Sequence, residues 1–456
     1  MQASDYLLKK KHIILPLLIF CTTFGIFSLV SYKRILHPSS NNHYAYMADS
    51  WLQGRLDLVH KPPHGNDWVR VDILQLQNGK TLKGTWFRSK GKGVFKTLDG
   101  TFHQIKSREI KKRTYLHYVS FPPLPAVLML PLVAKWGINF NDVLFTVFFA
   151  ALNAVFLWFL LIKLRKKKII MRTDGELISL VTLFCFGTVY FFSAVRGEVW
   201  YTAHIIGITF LLLYLLALYS ESWFWAGLAL GAAFATRPAM SLSGFVFLWH
   251  IYKKYKDREW KDAILPCVRF AVPALIFILL VALHNWLRFK NPFEFGHSYL
   301  NIRWKYRIEK YGLFSLEYLS RNLSVALTLL PRFKLSQPFV QISPHGMALW
   351  LTTPLLFKVF WQKFRNEHFI PLAVSAATIF LFVLCYQNSG FVQFGYRFSL
   401  DFTPFVILLL ALASEKYGKA FYFLLGYSVL VNLFGAITFG RYHQFYPPGS
   451  FIFFVS

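Results

Sequence analysis

The 456-residue chain is 55% hydrophobic and only 16% charged, with a formal net charge of +29. Soluble domains are about one quarter charged, so a cytosolic globular enzyme is excluded, as are disordered, collagenous and disulfide-scaffold proteins. The apolar residues fall into runs near the ~20 residues that cross a bilayer, and about eleven such runs would take half the chain. This is the composition of a polytopic membrane protein. Lys and Arg gather in cytoplasmic loops and against anionic headgroups, which explains the charge without nucleic acid. Cys21, Cys185, Cys267 and Cys385 lie in or beside apolar runs, so no disulfide framework is expected.

Lys9, Lys10 and Lys11 precede the first run and place the N-terminus in the cytoplasm. Segment 1–32 therefore reads as a cytoplasmic N-terminus and an uncleaved first span, about 13–32. Segment 33–137 reads as an external loop in three parts. In 41–54, Tyr44, Met47, Ala48, Trp51 and Leu52 recur at helical spacing, which predicts a short amphipathic helix capped by Gly54. In 66–110, apolar and polar residues alternate around Asn78-Gly79 and Asp99-Gly100, which predicts a small antiparallel β insert of four or so strands. The run 119–136 carries Pro122, Pro123, Pro125 and Pro131, so it reads as an interfacial or re-entrant helix rather than a span.

Segment 138–286 holds predicted spans at about 142–164, 176–195, 203–219, 223–237, 239–252 and 263–286. A second external loop follows at 287–345. Segment 346–456 holds spans at about 346–361, 370–387, 400–414 and 419–439 and an external tail. Under this one assignment Arg165–Lys168, Lys253–Arg258, Lys363 with Arg365, and Lys416 with Lys419 all face the cytoplasm. The predicted fold class is thus an all-α polytopic membrane protein of about 11 transmembrane helices, with an external C-terminus and a β insert in its first external loop. The two long loops carry 16 Lys/Arg against 6 Asp/Glu and 9 against 3, which suggests anionic lipid or phosphate partners beside plain headgroup adhesion.

Phosphate-binding Gly-rich loops, HExxH, paired CxxC and nucleophile-elbow motifs are absent from the sequence. Ionisable residues in or beside spans are then the informative ones, because burying them is costly. The segments NNHYAYMADSWLQGRLDL (41–58), SFPPLPAVLMLPLVAKWG (120–137), RGEVWYTAH (196–204), ATRP (235–238), NWLRFKNPFEFG (285–296) and FGYRFSLDFTPF (394–405) occur in this order. Together they resemble the GT-C superfamily, polytopic glycosyltransferases that use polyprenyl-phosphate sugars. The superfamily includes protein O-mannosyltransferases and the aminoarabinose transferases of lipid A.

The resemblance implies an enzyme of cell-envelope glycan synthesis in a bacterial inner membrane. Its donor would be a polyprenyl-phosphate-linked sugar and its acceptor an anionic lipid or glycan on the outer face, with membrane lipids as further partners. The implied reaction is an inverting displacement in which a carboxylate activates the acceptor hydroxyl and basic residues stabilise the departing phosphate. No nucleotide is implied; a divalent metal serves some members and not others. The family's first-loop Asp falls here at Ser40, Asn41 or Asn42, and an amide cannot take a proton. The substitutes are Glu198, ranked first, and Asp49, with Asp57 behind. Implied substrate-binding residues are Asn41, Asn42, His43, Arg196, His204, Arg237, Arg397 and Asp401, with Asp401 orienting Arg397 from one helical turn away.

Each of these has a plainer reading. Asp49 and Asp57 fit solvated helix faces, Arg196 with Glu198 an ion pair at a helix end, and Arg237 and Arg397 interface anchors. His43 and His204 lack the spacing of a metal site, and no metal ligands are assigned. Trp200, Tyr201, Trp304 and Tyr306 suit either sugar stacking or membrane anchoring. Asn322-Leu323-Ser324 fits an external N-glycosylation acceptor. Two other functions stay open: a non-catalytic lipid-saccharide binding or assembly protein, and a transporter of lipid-linked saccharides.

Overall fold

The computed structural model of the protein describes residues 2–447 apart from 66, 362, 364 and 365. The expected tail beyond Pro447, and Arg365 of one basic cluster, lie outside the described residues. In chain order the helices begin with α1 (Gln2–Ser31) and α2 (His43–Leu52). Five strands follow, β1 (Trp68–Leu76), β2 (Thr81–Trp86), β3 (Val94–Thr97), β4 (Phe102–Gln104) and β5 (Ile110–Val119). Then come α3 (Leu124–Trp136), α4 (Asp142–Lys166), α5 (Asp174–Phe186), α6 (Tyr190–Ala194), α7 (Val199–Leu218), α8 (Trp223–Phe234), α9 (Gly244–Tyr255) and α10 (Lys261–Phe289). The chain continues through α11 (Lys305–Tyr311), α12 (Leu319–Leu327), α13 (Leu349–Thr352), α14 (Phe369–Leu384), α15 (Thr403–Leu412) and α16 (Lys419–Thr438).

Among the described residues, five helices are long and apolar enough to cross a membrane: Ile14–Leu36, Asp142–Lys166, Val199–Leu218, Lys261–Phe289 and Lys419–Thr438. The outer face of α10 supports that environment, since Val268, Val272, Leu275, Leu279 and Leu283 are all exposed. A contiguous apolar stripe of this kind is not left facing water. The opposite face of α10 packs closely on α8, where a Cβ at Gly227 would strike the Phe270 carbonyl oxygen.

The other expected spans are shorter or broken. Helix α9 has 12 residues, about 18 Å, against a hydrocarbon core of ~30 Å. It starts late because Pro238–Ser243 is a 3-10 helix. The run at 176–195 breaks after Phe186 and resumes as the one-turn α6. The run at 346–361 is a single turn, α13, followed by a 3-10 helix over Pro354–Trp361. Pro354 disfavours the helical region at Thr353, whose backbone is not helical, and so separates the two. The run at 400–414 keeps ten helical residues, α15.

The β insert is an antiparallel sheet of order β4-β3-β2-β1-β5. Asn78-Gly79 and Asp99-Gly100 turn its two tight hairpins, with both glycines at positive φ. The strands run past the expected boundary of 110, because β5 returns beside β1 and pairs Val119 with Trp68. Arg113 on β5 grips Asp72 on β1 with two nitrogens at 3.1–3.2 Å. The sheet sits at one end of the helices. The basic loops meet at the other end, where Lys167 pairs with Glu221 at 3.6 Å and Lys253 with Glu367 at 2.7 Å. At that end Arg172 donates to the carbonyls of Leu410, Ala411 and Ala413, capping α15.

Asn322, the expected glycan acceptor, is fully buried and donates to the carbonyls of Leu384 and Tyr386, both at 2.7 Å. Its amide nitrogen is committed inside the fold.

Candidate functional site

The paired ends of β1 and β5 deliver two segments to one cavity of about 190 Å³: Asp67 before β1, and Ser120, Phe121 and Pro122 after β5. Helix α7 supplies Trp200 and His204, the turn after α8 supplies Arg237, and the segment before α15 supplies Arg397 and Phe398. Apolar walls come from Leu313, Phe314, Phe382 and Val383. The volume falls below the ~300–1,000 Å³ of sites for drug-sized ligands.

Asp67 is the carboxylate of this cavity, and it belongs to none of the segments that carry the family resemblance. Its φ of +55° lies in the left-handed region that L-residues seldom adopt. Two contacts hold it there. Trp200 donates its indole N–H to Asp67 Oδ2 at 2.9 Å. The next residue, Trp68, stacks on His43 with ring centroids 3.7 Å apart. Enclosure by the cavity raises the Asp67 carboxyl above the ordinary carboxylate range, against the Trp200 hydrogen bond and the charge of Arg397, which lower it.

Below Asp67 lies a buried cluster. Asp401 is fully buried and accepts Nδ1 of His204 at 3.0 Å and Nε of Arg237 at 3.1 Å on one oxygen. Its other oxygen accepts a second Arg237 nitrogen. Gly207, three residues after His204 on α7, makes room for this, since a Cβ there would strike Arg237 Cγ at 2.8 Å. The expectation that Asp401 orients Arg397 is corrected. Residues Arg397–Asp401 form a 3-10 helix, in which positions three apart are aligned rather than four, so the carboxylate turns to other elements. Arg397 is held instead by its own backbone N–H on Gln393 Oε1 at 2.9 Å and by Nη1 on the Val392 carbonyl at 3.1 Å. Four buried side-chain atoms without a partner, His204 Nε2, His297 Nδ1, Gln387 Oε1 and Arg397 Nε, belong to residues that line this cavity.

The other expected residues lie elsewhere. Glu198 is committed to Arg196, whose Nε donates to it at 3.0 Å and whose Nη1 donates to the Phe439 carbonyl at 3.1 Å. Neither lines the cavity. Asp49 sits on the α2 surface, accepting from Gln53 at 2.9 Å and lying 3.4 Å from His60; Asp57 pairs with Arg55. Asn42 ties α2 to the turn after α3 through the Phe140 carbonyl at 2.9 Å. The Asn41 carbonyl caps α7 by accepting from Val199 N–H at 3.1 Å, and also faces His43 Nδ1 at 3.0 Å. These three residues build the floor under Trp68 and α7 rather than the cavity wall. Trp200 and Trp304 line the cavity, whereas Tyr201 is buried beside it and Tyr306 is exposed.

Among the described residues, no three His, Cys, Asp or Glu converge as a metal site. Comparison with family models, with curated proteins and with solved structures finds no match, so the site is read from its own geometry.

Proposed function

We propose that the protein is a membrane glycosyltransferase of the GT-C type, moving a sugar from a polyprenyl-phosphate or -diphosphate donor to a hydroxyl acceptor on the outer face. The observation that carries this reading is the content of the cavity: one carboxylate, Asp67, with two arginines and unpartnered buried polar atoms inside apolar walls. Buried polar atoms without partners cost free energy, which a polar headgroup would return. The separation of the sheet from the basic loops also supports the proposed orientation, with the sheet outside and the basic loops in the cytoplasm. Eleven crossings, several made by short or broken helices, remain the topology proposed.

In this mechanism the Asp67 carboxylate takes the proton of the acceptor hydroxyl. The acceptor oxygen bonds to the anomeric carbon as the bond from that carbon to the phosphate oxygen breaks. Arg237 and Arg397 stabilise the charge gathering on the departing lipid phosphate. Asp67 thus takes the place that the resemblance assigned to a first-loop carboxylate, from a position nearer the sheet.

The test is mass spectrometry of surface glycans and membrane lipids from a deletion strain complemented with wild type or with Asp67→Asn. A glycan missing in the deletion, restored by wild type and not by Asp67→Asn, is expected. Identical profiles in deletion and wild type would remove the transferase reading and leave a binding protein.

A further inference from the structure

We infer that His204 Nε2 is a hydrogen-bond acceptor subsite for a hydroxyl of the bound sugar, with Asp401 acting as the positioning residue that fixes the imidazole. For its ligand the inference rests on the proposed function; for its tautomer it does not.

The tautomer follows from the bonding around Asp401. Its carboxylate accepts from Arg237 at both oxygens and so has no proton to give to His204. The contact of 3.0 Å between His204 Nδ1 and Asp401 Oδ1 is therefore an Nδ1–H donating. A neutral ring held this way carries its lone pair on Nε2. That atom is buried without a partner, in a residue that lines the cavity. The same cavity wall holds Arg237 and Arg397, donors that cannot accept, so an acceptor at Nε2 complements them.

Position strengthens the assignment. Trp200 and His204 stand four residues apart on one face of α7, one turn or about 6 Å along its axis. Trp200 holds Asp67, so the proposed base lies one turn nearer the sheet than Nε2. A sugar ring spans a gap of that size. A hydroxyl on it can meet Nε2 while the reacting carbon stays near Asp67. Sugars lacking that hydroxyl would leave Nε2 unpaired, which makes the subsite a selector as well as an anchor.

Two measurements on the full-length protein in nanodiscs test this. The first compares binding of undecaprenyl phosphate with that of undecaprenyl phosphate bearing one hexose, in wild type, His204→Phe and His204→Gln. Loss of one hydrogen bond should weaken the hexose-bearing lipid about five- to tenfold in His204→Phe. Bare lipid phosphate should bind unchanged, and His204→Gln, which can donate to Asp401 and still accept, should recover most of the loss. Equal losses for both lipids, or none, overturn the subsite. The second records nitrogen-15 NMR of histidine-labelled protein at pH 8 without ligand, assigning His204 by its absence in His204→Phe. A protonated Nδ1 with a bare Nε2 sustains the acceptor even if neither lipid binds, in which case the donor class alone fails. A protonated Nε2 overturns it.

Discussion

Two buried acid–arginine centres flank the start of α7, and they are built from the same charges to opposite ends. In the first, Arg196 holds Glu198, donates to the Phe439 carbonyl and lies over the rings of Tyr201 and Phe439. Arg34 reaches the same carbonyl at 2.8 Å. This centre answers the free carbonyl at the end of α16 and lies away from the cavity, with Arg34 Nη1 left buried and without a partner. In the second, Asp401 gathers Arg237 and His204, and both of those line the cavity. A buried ion pair is therefore not by itself a sign of a site. What separates the two is that in one the residues of the pair line an open volume, and the unused hydrogen-bonding atom belongs to one of them.

The largest expected effect comes from breaking the open centre. Asp401→Ala strands Arg237 and frees His204, and removing one partner of a buried pair costs about 3–5 kcal/mol. The melting temperature of the detergent-solubilised protein should fall, and binding of hexose-bearing lipid with it. A stable variant that still binds would show that the cluster is not coupled to the cavity.

Asp67→Asn separates chemistry from folding. Turnover should drop by about 10²–10⁴, the typical yield of a general base, while melting stays near wild type. Because enclosure raises the Asp67 carboxyl, its ionised, proton-accepting form appears only above the ordinary carboxylate pKa of about 3.9. Wild-type turnover should therefore rise with pH along a limb displaced upward from that value. A limb at or below the ordinary carboxylate range would assign the base elsewhere.

Glu198→Gln should do the reverse. It leaves the Arg196 charge without its counter-charge, at about 1–3 kcal/mol in thermal stability, and spares turnover per folded molecule. Turnover lost without any loss of stability would return Glu198 to the catalytic role. The smallest effect is expected from Trp200→Phe. The indole hydrogen bond holds the Asp67 carboxyl down, so its removal, worth about 1 kcal/mol, should move the acid limb up by less than one pH unit. An unmoved limb would mean that Trp200 only packs.

Much of the architecture was legible in local pattern. Charge clusters marked the loops that meet at one end, and Asn78-Gly79 and Asp99-Gly100 marked hairpins, because both signals lie within a few residues. Arg237, His204, Arg397 and Asp401 were picked out because polar residues are costly beside apolar runs. Their pairing was not legible. His204 and Asp401 are 197 positions apart, and the one local rule available, four-residue spacing, misled at Arg397 because a 3-10 helix replaced the α-helix. Asp67 is not legible from the spacing of α2, because the acid stands at the junction of a turn and β1. Its signal was an acid directly before an aromatic residue that opens a strand. The broken runs at 176–195 and 346–361 escaped because hydropathy counts apolar residues and is blind to where a backbone stops.

The late arrival of Asp401 has a consequence for how the protein is made. At a ribosomal pace of about 5–20 residues per second, roughly half a minute separates synthesis of Asp67 from that of Asp401. Through most of the second half of that interval Arg237 is already in place without its carboxylate. A chain that stops before residue 401 leaves the Arg237 guanidinium without its carboxylate. The charge is neutralised, and the imidazole held, only in chains completed past that point.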